Sequence, residues 1–172
     1  WFPGIRKGAG HAMTAFCVLL RPESGGFLRL RLTNPAQPRE IHINMYQDER
    51  DVLTMRRTVK MMREFYATEP LAGLLGKELM PGADVQSDAE IDAFNRNTSI
   101  LAHHASCTCA MGEGEQAVVD PELRVRGVEG LRVVDASVMP RVVGGNTNAP
   151  VIMIAEKASD LILGIRPLAA AA

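Results

Sequence analysis

The chain has 172 residues, of which 47% are hydrophobic and 23% are charged, and its formal net charge is −1. This length is enough for one globular core or for one core and part of a second, and the balance of 19 basic and 20 acidic residues argues against a nucleic-acid-binding protein. The longest apolar stretch, Ala149–Ala155, is too short to span a membrane and no signal peptide is recognisable, so we expect a cytoplasmic protein.

Two short alternating stretches predict a pair of β-strands. In Phe27–Leu32, leucines alternate with arginines, and in Ile41–Met45 apolar side chains again occupy every second position. Such alternation is typical of strands that have one apolar face and one polar face. We therefore expect neighbouring strands of a sheet that is covered on a single face.

Two helices are predicted after the strands. Asp48 is a suitable N-cap for the first helix, and Pro70 is expected to end it. The apolar residues of this helix recur at spacings of three and four and are expected to face a core: Val52, Met55, Val59, Met62 and Tyr66. The sequence Ser87–Glu90 forms a capping box, which predicts a short second helix with Ile91 and Phe94 facing inward.

A strand, a turn and a helix are predicted near the carboxyl end. Leu131–Asp135 is typical of a short buried strand that ends in a carboxylate, and Gly144–Asn146 of a turn. Pro150 suits the first turn of a helix, and the apolar run Val151–Ala155 predicts that this helix start is buried on all sides. Gly164 is a natural C-cap. Nucleotide cofactors bind to this order of elements, although many α/β proteins share it without a ligand.

The densest group of reactive side chains consists of His103, His104, Cys107 and Cys109, and three interpretations are open. Two imidazoles and two thiols could bind zinc, but adjacent histidines followed by Cys-x-Cys form a poor local chelate, so we expect no metal site. The histidines could instead be hydrogen-bonded in a core, with the thiols acting as small apolar groups. Alternatively, one histidine could be a general base, since imidazoles titrate near neutral pH.

Polar residues beside glycines form a second candidate group. Asn146 and Asn148 could be turn residues, or they could donate hydrogen bonds to a substrate oxygen and to a cofactor. Asp135, at the end of the predicted strand, could be a surface carboxylate or could face a ligand. Considered alone, each of these residues fits either role.

Three segments in combination resemble a known family. Residues 103–112, 118–140 and 145–157 are similar in wording and order to the carboxy-terminal signature of the glucose–methanol–choline oxidoreductases. The strings Ser-Cys-Thr-Cys and Gly-Asn-Thr-Asn-Ala-Pro are most similar to the choline-dehydrogenase-like members. The close resemblance covers about residues 100–164, and Arg21–Ser24 with the two predicted strands resembles the family's substrate domain more loosely.

The resemblance implies an α+β fold. An antiparallel sheet of a substrate-binding domain, with helices, would occupy residues 1–115, and a strand–turn–helix in residues 116–172 would complete an FAD-binding domain. The family's dinucleotide fingerprint, G-x-G-x-x-G, is absent from these 172 residues. An amino-terminal FAD-binding segment is therefore expected to be missing, and the isolated chain is expected to bind FAD weakly or not at all.

The resemblance also implies roles for single residues. His104 matches the active-site histidine that is expected to take the alcohol proton, and Asn146 matches the second active-site position, which holds the substrate oxygen. The positions expected to contact FAD are Asp135, Ala136, Asn148, Ala149 and Pro150. His103 stands where relatives often have an aromatic residue, and Ala105 where proline is common.

The implied function is the oxidation of a small-molecule alcohol by FAD. A hydride would pass from the alcohol carbon to flavin N5 while His104 takes the hydroxyl proton, and the amino end of the last helix would stabilise negative charge on the reduced flavin. The alternative is a non-catalytic fragment or binding module of the same fold without bound FAD.

Overall fold

The computed structural model describes residues 10–31, 34 and 36–165. Within these ranges the chain forms two paired β-strands and three α-helices, which confirms the expected α+β class. The chain divides into two compact units, residues 1–102 and 103–172. The assignment of residues 1–115 and 116–172 to two domains of a larger enzyme stays a prediction. In the described part of the chain, no helix combines the length and apolar character that crossing a bilayer requires.

The first unit contains the predicted strand pair. Strand β1, Phe27–Arg29, pairs antiparallel with strand β2, Glu40–His42, so that Leu28 lies opposite Ile41. The predicted pairing is confirmed, although each strand has only three residues. Leu32, the last residue of the first predicted strand, lies outside the described residues.

The expectation that this strand pair is covered on one face is wrong. Its apolar side chains, and those that continue both stretches, are all between 38% and 76% exposed: Phe27, Leu28, Leu30, Ile41, Ile43 and Met45. Two strands of three residues bury little surface between them. The alternating pattern therefore identifies apolar positions, but these side chains are not covered by other described residues.

Helices α1 and α2 begin at the predicted caps. Helix α1, Glu49–Tyr66, starts behind Asp48, whose carboxylate accepts a hydrogen bond from the backbone N–H of Arg50 at 2.9 Å. Helix α2, Asp88–Thr98, starts with the predicted capping box, in which the Ser87 hydroxyl and the Glu90 carboxylate each accept a backbone N–H. Both starts are confirmed, whereas α1 ends at Tyr66, before the proline that was expected to stop it.

The inward faces of α1 and α2 also agree with the apolar periodicity. Met55 is 7% exposed and Ile91 is fully buried. The other members of the predicted faces are partly buried: Val52, Val59, Met62, Tyr66 and Phe94. The spacing of three and four therefore identified the packed sides of both helices.

The second unit is built around one apolar cluster and helix α3, Asn148–Leu163. The buried members of the cluster are Val119, Leu123, Val138, Met139, Ile154 and Ala158. Helix α3 includes Pro150 in its first turn and ends before Gly164, which has a φ of 68°. The predicted C-cap is confirmed, because a left-handed backbone at this position favours glycine.

Two expectations for the second unit are wrong. Leu131–Asp135 is not a strand: only one bridge is formed, between Arg132 and Arg124, because the segment opposite lies between turns at residues 121–122 and 126–127 and is too short to form a second strand. The start of α3 is not buried on all sides, since Ile152 is 54% exposed and Met153 is 60% exposed. Successive helical residues point about 100° apart, so the helix surface that packs on the core does not include these two side chains.

Candidate functional site

The backbone of the second unit aligns the cysteine-containing loop with the segment after Val134. Alternate N–H groups of the loop donate to successive carbonyls of a short 3-10 helix, Ala136–Val138. The bonds run from Cys107, Cys109 and Met111 to Ala136, Ser137 and Val138, at 3.4, 2.9 and 2.9 Å respectively. The Ala136 carbonyl also accepts the N–H of Met139 at 3.3 Å, and a carbonyl oxygen has two lone pairs, so it can accept both bonds. Two of the three segments singled out in the sequence therefore lie side by side.

Asp135 caps this short helix. Its Oδ1 atom accepts hydrogen bonds from the backbone N–H of Ser137, at 2.7 Å, and from the Ser137 hydroxyl. The carboxylate is thus engaged with the turn that follows, although the residue is exposed overall. Its expected contact, and that of Ala136, with a cofactor stays a prediction.

A hydrogen bond joins His104 to the segment that precedes helix α3. The His104 Nδ1 atom and the Thr147 Oγ1 atom are 2.8 Å apart, although the two residues are separated by 43 positions. Thr147 is 8% exposed and His104 is partly buried, so this bond is largely shielded from water. The Nε2 atom of His104 is the ring nitrogen that remains for other partners.

The amino end of α3 lacks the side-chain cap that is usual for a threonine at the position before a helix. Thr147 is the N-cap residue and its carbonyl accepts the N–H of Val151 at 3.0 Å, but its hydroxyl does not bond to the first turn. Within the described residues, the N–H groups of Asn148 and Ala149 have no hydrogen-bond partner, and Pro150 has no N–H. This helix start therefore offers unsatisfied donors and the positive end of the helix dipole.

The structure brings most of the predicted site residues into one neighbourhood of the second unit. The bond to Thr147 places the loop of His104 beside residues 146–150, and the bonds of the cysteine loop place Ala136 beside Cys107. Asn146 is exposed and directly precedes Thr147. Convergence of the His104 imidazole and the Asn146 amide on a common point stays a prediction.

Thr147 was not identified from its own sequence position. It lies within the string Gly-Asn-Thr-Asn-Ala-Pro, between the candidate site residues Asn146 and Asn148. The signal that could have identified it is its position directly before a predicted helix. A hydroxyl there either caps the helix or is available to hydrogen-bond to another group.

The four residues considered as zinc ligands do not form a cluster of ligands. In the ranges that the structure describes, no group of three or more His, Cys, Asp or Glu side chains could hold a metal ion. His103 is exposed with a φ of 58°, and the Cys107 thiol contacts the hydroxyl of its neighbour Ser106 at 3.2 Å.

The sequence matches a described family over most of its length. Residues 22–155 match the family described as GMC oxidoreductase, in its carboxy-terminal domain. The chain belongs to this family. The matched range includes His104, Thr147 and the first turns of α3.

Curated relatives of this GMC oxidoreductase domain include choline dehydrogenases. The mitochondrial choline dehydrogenase of Mus musculus is 54% identical over 147 residues, which cover 84% of this chain and 25% of the relative. The oxygen-dependent choline dehydrogenase of Paraburkholderia phymatum is 47% identical over 159 residues, which cover 92% of this chain and 28% of the relative. The chain thus spans about a quarter of the length of the curated relatives that it matches.

Two solved structures of other proteins contain a fold similar to that of this chain. Pyridoxine 4-oxidase from Mesorbium loti superposes with a TM-score of 0.80 and 34% sequence identity, covering 86% of this chain and 29% of the oxidase. An FAD-dependent oxidoreductase from Chaetomium thermophilum superposes with a TM-score of 0.76 and 32% identity, covering 81% of this chain and 24% of that enzyme.

Proposed function

We propose that this chain is the carboxy-terminal part of an FAD-dependent enzyme that oxidises an alcohol, with His104 as the base and Asn146 as the group that holds the substrate oxygen. One observation carries the proposal: the His104 ring is hydrogen-bonded to Thr147, the residue directly before α3, beside a helix start whose first N–H groups have no partner among the described residues. The family match and the similarity to choline dehydrogenases support it.

The residues of the helix start fit FAD. The N–H groups of Asn148 and Ala149, which have no partner in the part of the chain that the structure describes, are donors suited to an electron-rich ring or an anionic group. Pro150, which lacks an N–H, adds no unsatisfied donor to this turn. Asp135 and Ala136 would supply a second edge of the cofactor site. When bound, FAD supplies the acceptor for a hydride from the alcohol carbon.

The chain's own residues would perform the proton transfer and the positioning. An alcohol becomes a good hydride donor as its hydroxyl proton leaves, and His104 would take that proton through Nε2, because Nδ1 faces Thr147. Asn146 would donate its amide N–H to the alcohol oxygen and so orient the reacting carbon. The positive end of α3 would stabilise the negative charge that develops nearby during the reaction.

The substrate class that we propose is a small alcohol of the choline type. This follows from the relatives, two of which are named as choline dehydrogenases at 54% and 47% identity. We also propose that the 172 residues alone bind FAD weakly or not at all, because they contain no G-x-G-x-x-G fingerprint. The cytoplasmic location stays a prediction.

The test is the change His104→Ala in a full-length flavoprotein that contains this chain. Anaerobic stopped-flow mixing with choline would follow the absorbance of the flavin, and we expect its reduction to slow by about 10²-fold or more, as for the loss of a general base. His103→Ala is the matched control, since His103 is the adjacent exposed imidazole. A slowing of less than about threefold by His104→Ala would contradict the role of His104 as the base, whereas no reduction of the flavin in the unmodified protein would favour a non-catalytic module of the same fold.

A further inference from the structure

We propose that Thr147 is a positioning residue that sets the tautomer of His104: its hydroxyl oxygen accepts the Nδ1 proton and thereby leaves Nε2 unprotonated. The inference rests on the proposed function of His104 as the base. It deepens that function, because it assigns the protonation of both ring nitrogens before the reaction.

The geometry limits which nitrogen can meet a substrate. A neutral imidazole has one N–H and one lone pair, on different nitrogens. Nδ1 lies 2.8 Å from the Thr147 hydroxyl, and Thr147 is 8% exposed, so a substrate does not have access to this nitrogen. The lone pair that accepts a substrate proton must therefore be on Nε2, which requires the ring proton to be on Nδ1.

The hydroxyl of Thr147 is available to accept that proton. A threonine before a helix normally uses its oxygen to accept an N–H of the first turn. Here the helix start has no side-chain cap, so the oxygen's lone pairs are not engaged by α3. The Thr147 oxygen therefore does not cap the helix and can accept the Nδ1 proton of His104. Because the hydrogen bond at one ring nitrogen decides the state of the other, this single contact would prepare Nε2 as a base.

The tautomer is measurable on the 172-residue chain without a cofactor. Long-range ¹H–¹⁵N spectra of ¹⁵N-histidine-labelled protein distinguish the two neutral forms, and a His104→Gln variant assigns the His104 signals. A histidine side chain in water prefers the proton on Nε2. We expect His104 to show the opposite, Nδ1–H, form when it is neutral, while the signal of exposed His103 serves as an internal control.

Two variants test whether Thr147 is the cause. Thr147→Val keeps the shape of the side chain without the oxygen, and it should convert His104 mostly to the Nε2–H form, whereas Thr147→Ser should restore the Nδ1–H form. In the full-length flavoprotein, Thr147→Val should lower kcat by about tenfold or more with little change in KM, as a wrong tautomer does elsewhere, and Thr147→Ser should recover most of it.

The outcomes separate this inference from the proposed function. An Nε2–H form of His104 in the unmodified chain overturns the role of Thr147, even if the valine variant does not fold. A folded Thr147→Val variant that keeps the Nδ1–H form also overturns it. If His104→Ala leaves flavin reduction unchanged, the proposed function fails, whatever the tautomer of His104 is.

Discussion

The backbone N–H of Ser24 donates a hydrogen bond of 2.8 Å to the Oδ2 atom of Asp51, although the two residues are 27 positions apart. The other carboxylate oxygen accepts the N–H of Glu23 at 2.9 Å, and the Ser24 hydroxyl in turn accepts the N–H of Asp48 at 3.0 Å. Asp51 is 2% exposed. One buried carboxylate thus attaches the loop at residues 21–24 to the first turn of α1.

Removing this carboxylate should destabilise the first unit. Asp51→Ala removes two partly buried hydrogen bonds to a charged acceptor, and such bonds contribute about 1.5–3 kcal/mol each, so we expect the free energy of unfolding to fall by about 2–4 kcal/mol. Urea unfolding followed by circular dichroism measures the change. Glu49→Ala, an exposed acid in the same helical turn, is the control and should cost no more than about 0.5 kcal/mol. Equal losses for both variants would rule out the proposed attachment.

Acid should weaken the same region. Burial raises the pKa of Asp51, but the hydrogen bonds from Glu23 and Ser24 lower it more, so its pKa lies below its ordinary value. The side chain of Arg50 similarly lowers the pKa of Asp48 to about 2. Carboxyls with depressed pKa values stabilise the fold above their unfolded pKa of about 3.9, and this stabilisation is lost as the pH falls through the folded value.

We therefore expect the free energy of unfolding to decrease as the pH is lowered from about 4 to about 2. Urea unfolding at a series of pH values measures this slope. Asp51→Asn cannot titrate, so its curve should be flatter than that of the wild type in this window. A variant curve that runs parallel to the wild-type curve would show that Asp51 is not responsible.

Arg56 joins α1 to α2 through a geometry that lysine does not reproduce. Its Nε atom donates to Asp92 at 2.8 Å, its Nη2 atom contacts the other oxygen of the same carboxylate, and its Nη1 atom donates to Asp88 at 2.9 Å. The side chains of Arg56 and Asp92 are 21% and 19% exposed. A paired, partly buried guanidinium of this kind stabilises more than an exposed ion pair does.

We expect Arg56→Lys to lower the free energy of unfolding by about 1 kcal/mol, because the charge is kept while the two-point contact with Asp92 is lost. Lys60 also contacts Asp88, at 2.6 Å, but its side chain is 49% exposed, so Lys60→Met should cost no more than about 0.5 kcal/mol. Thermal unfolding of both variants measures the difference. The interpretation fails if the lysine at 56 is as stable as the wild type.

Gly26 is needed for the contact between the strands. A Cβ atom at this position would overlap the carbonyl oxygen of His42, in β2, whereas one at Gly25 would meet nothing within 4 Å. Gly26→Ala should therefore force β1 away from β2, and the cross-strand nuclear Overhauser effects between Leu28 and Ile41 should disappear. Gly25→Ala should retain them. Their survival in the Gly26 variant would show that the ribbon adjusts without losing its pairing.

The features that were predictable from the sequence are those encoded within a few residues. The caps at Asp48 and Ser87 and the glycine stop at Gly164 each depend on atoms no more than about one turn away, so composition at those positions is sufficient. The strand expected at Leu131–Asp135 needed a partner strand, and the burial expected around Ile152 needed neighbours on every side. Both depend on which distant segments pack there, which local periodicity does not contain.

The candidate site divides in the same way. His104, Asn146 and the start of α3 were found because their residue types and order resemble a family. The bond between His104 and Thr147 was not predicted, since it spans 43 positions and uses a hydroxyl that a helix-capping rule assigns to another partner.

Helix α3 has only two buried side chains, Ile154 and Ala158, one turn apart in a helix of sixteen residues. Exchange of amide protons for deuterium should therefore be uneven along this helix, slowest in the turn between these two residues and faster towards both ends. The residues that face the proposed chemistry would then belong to the part of the helix that opens most readily.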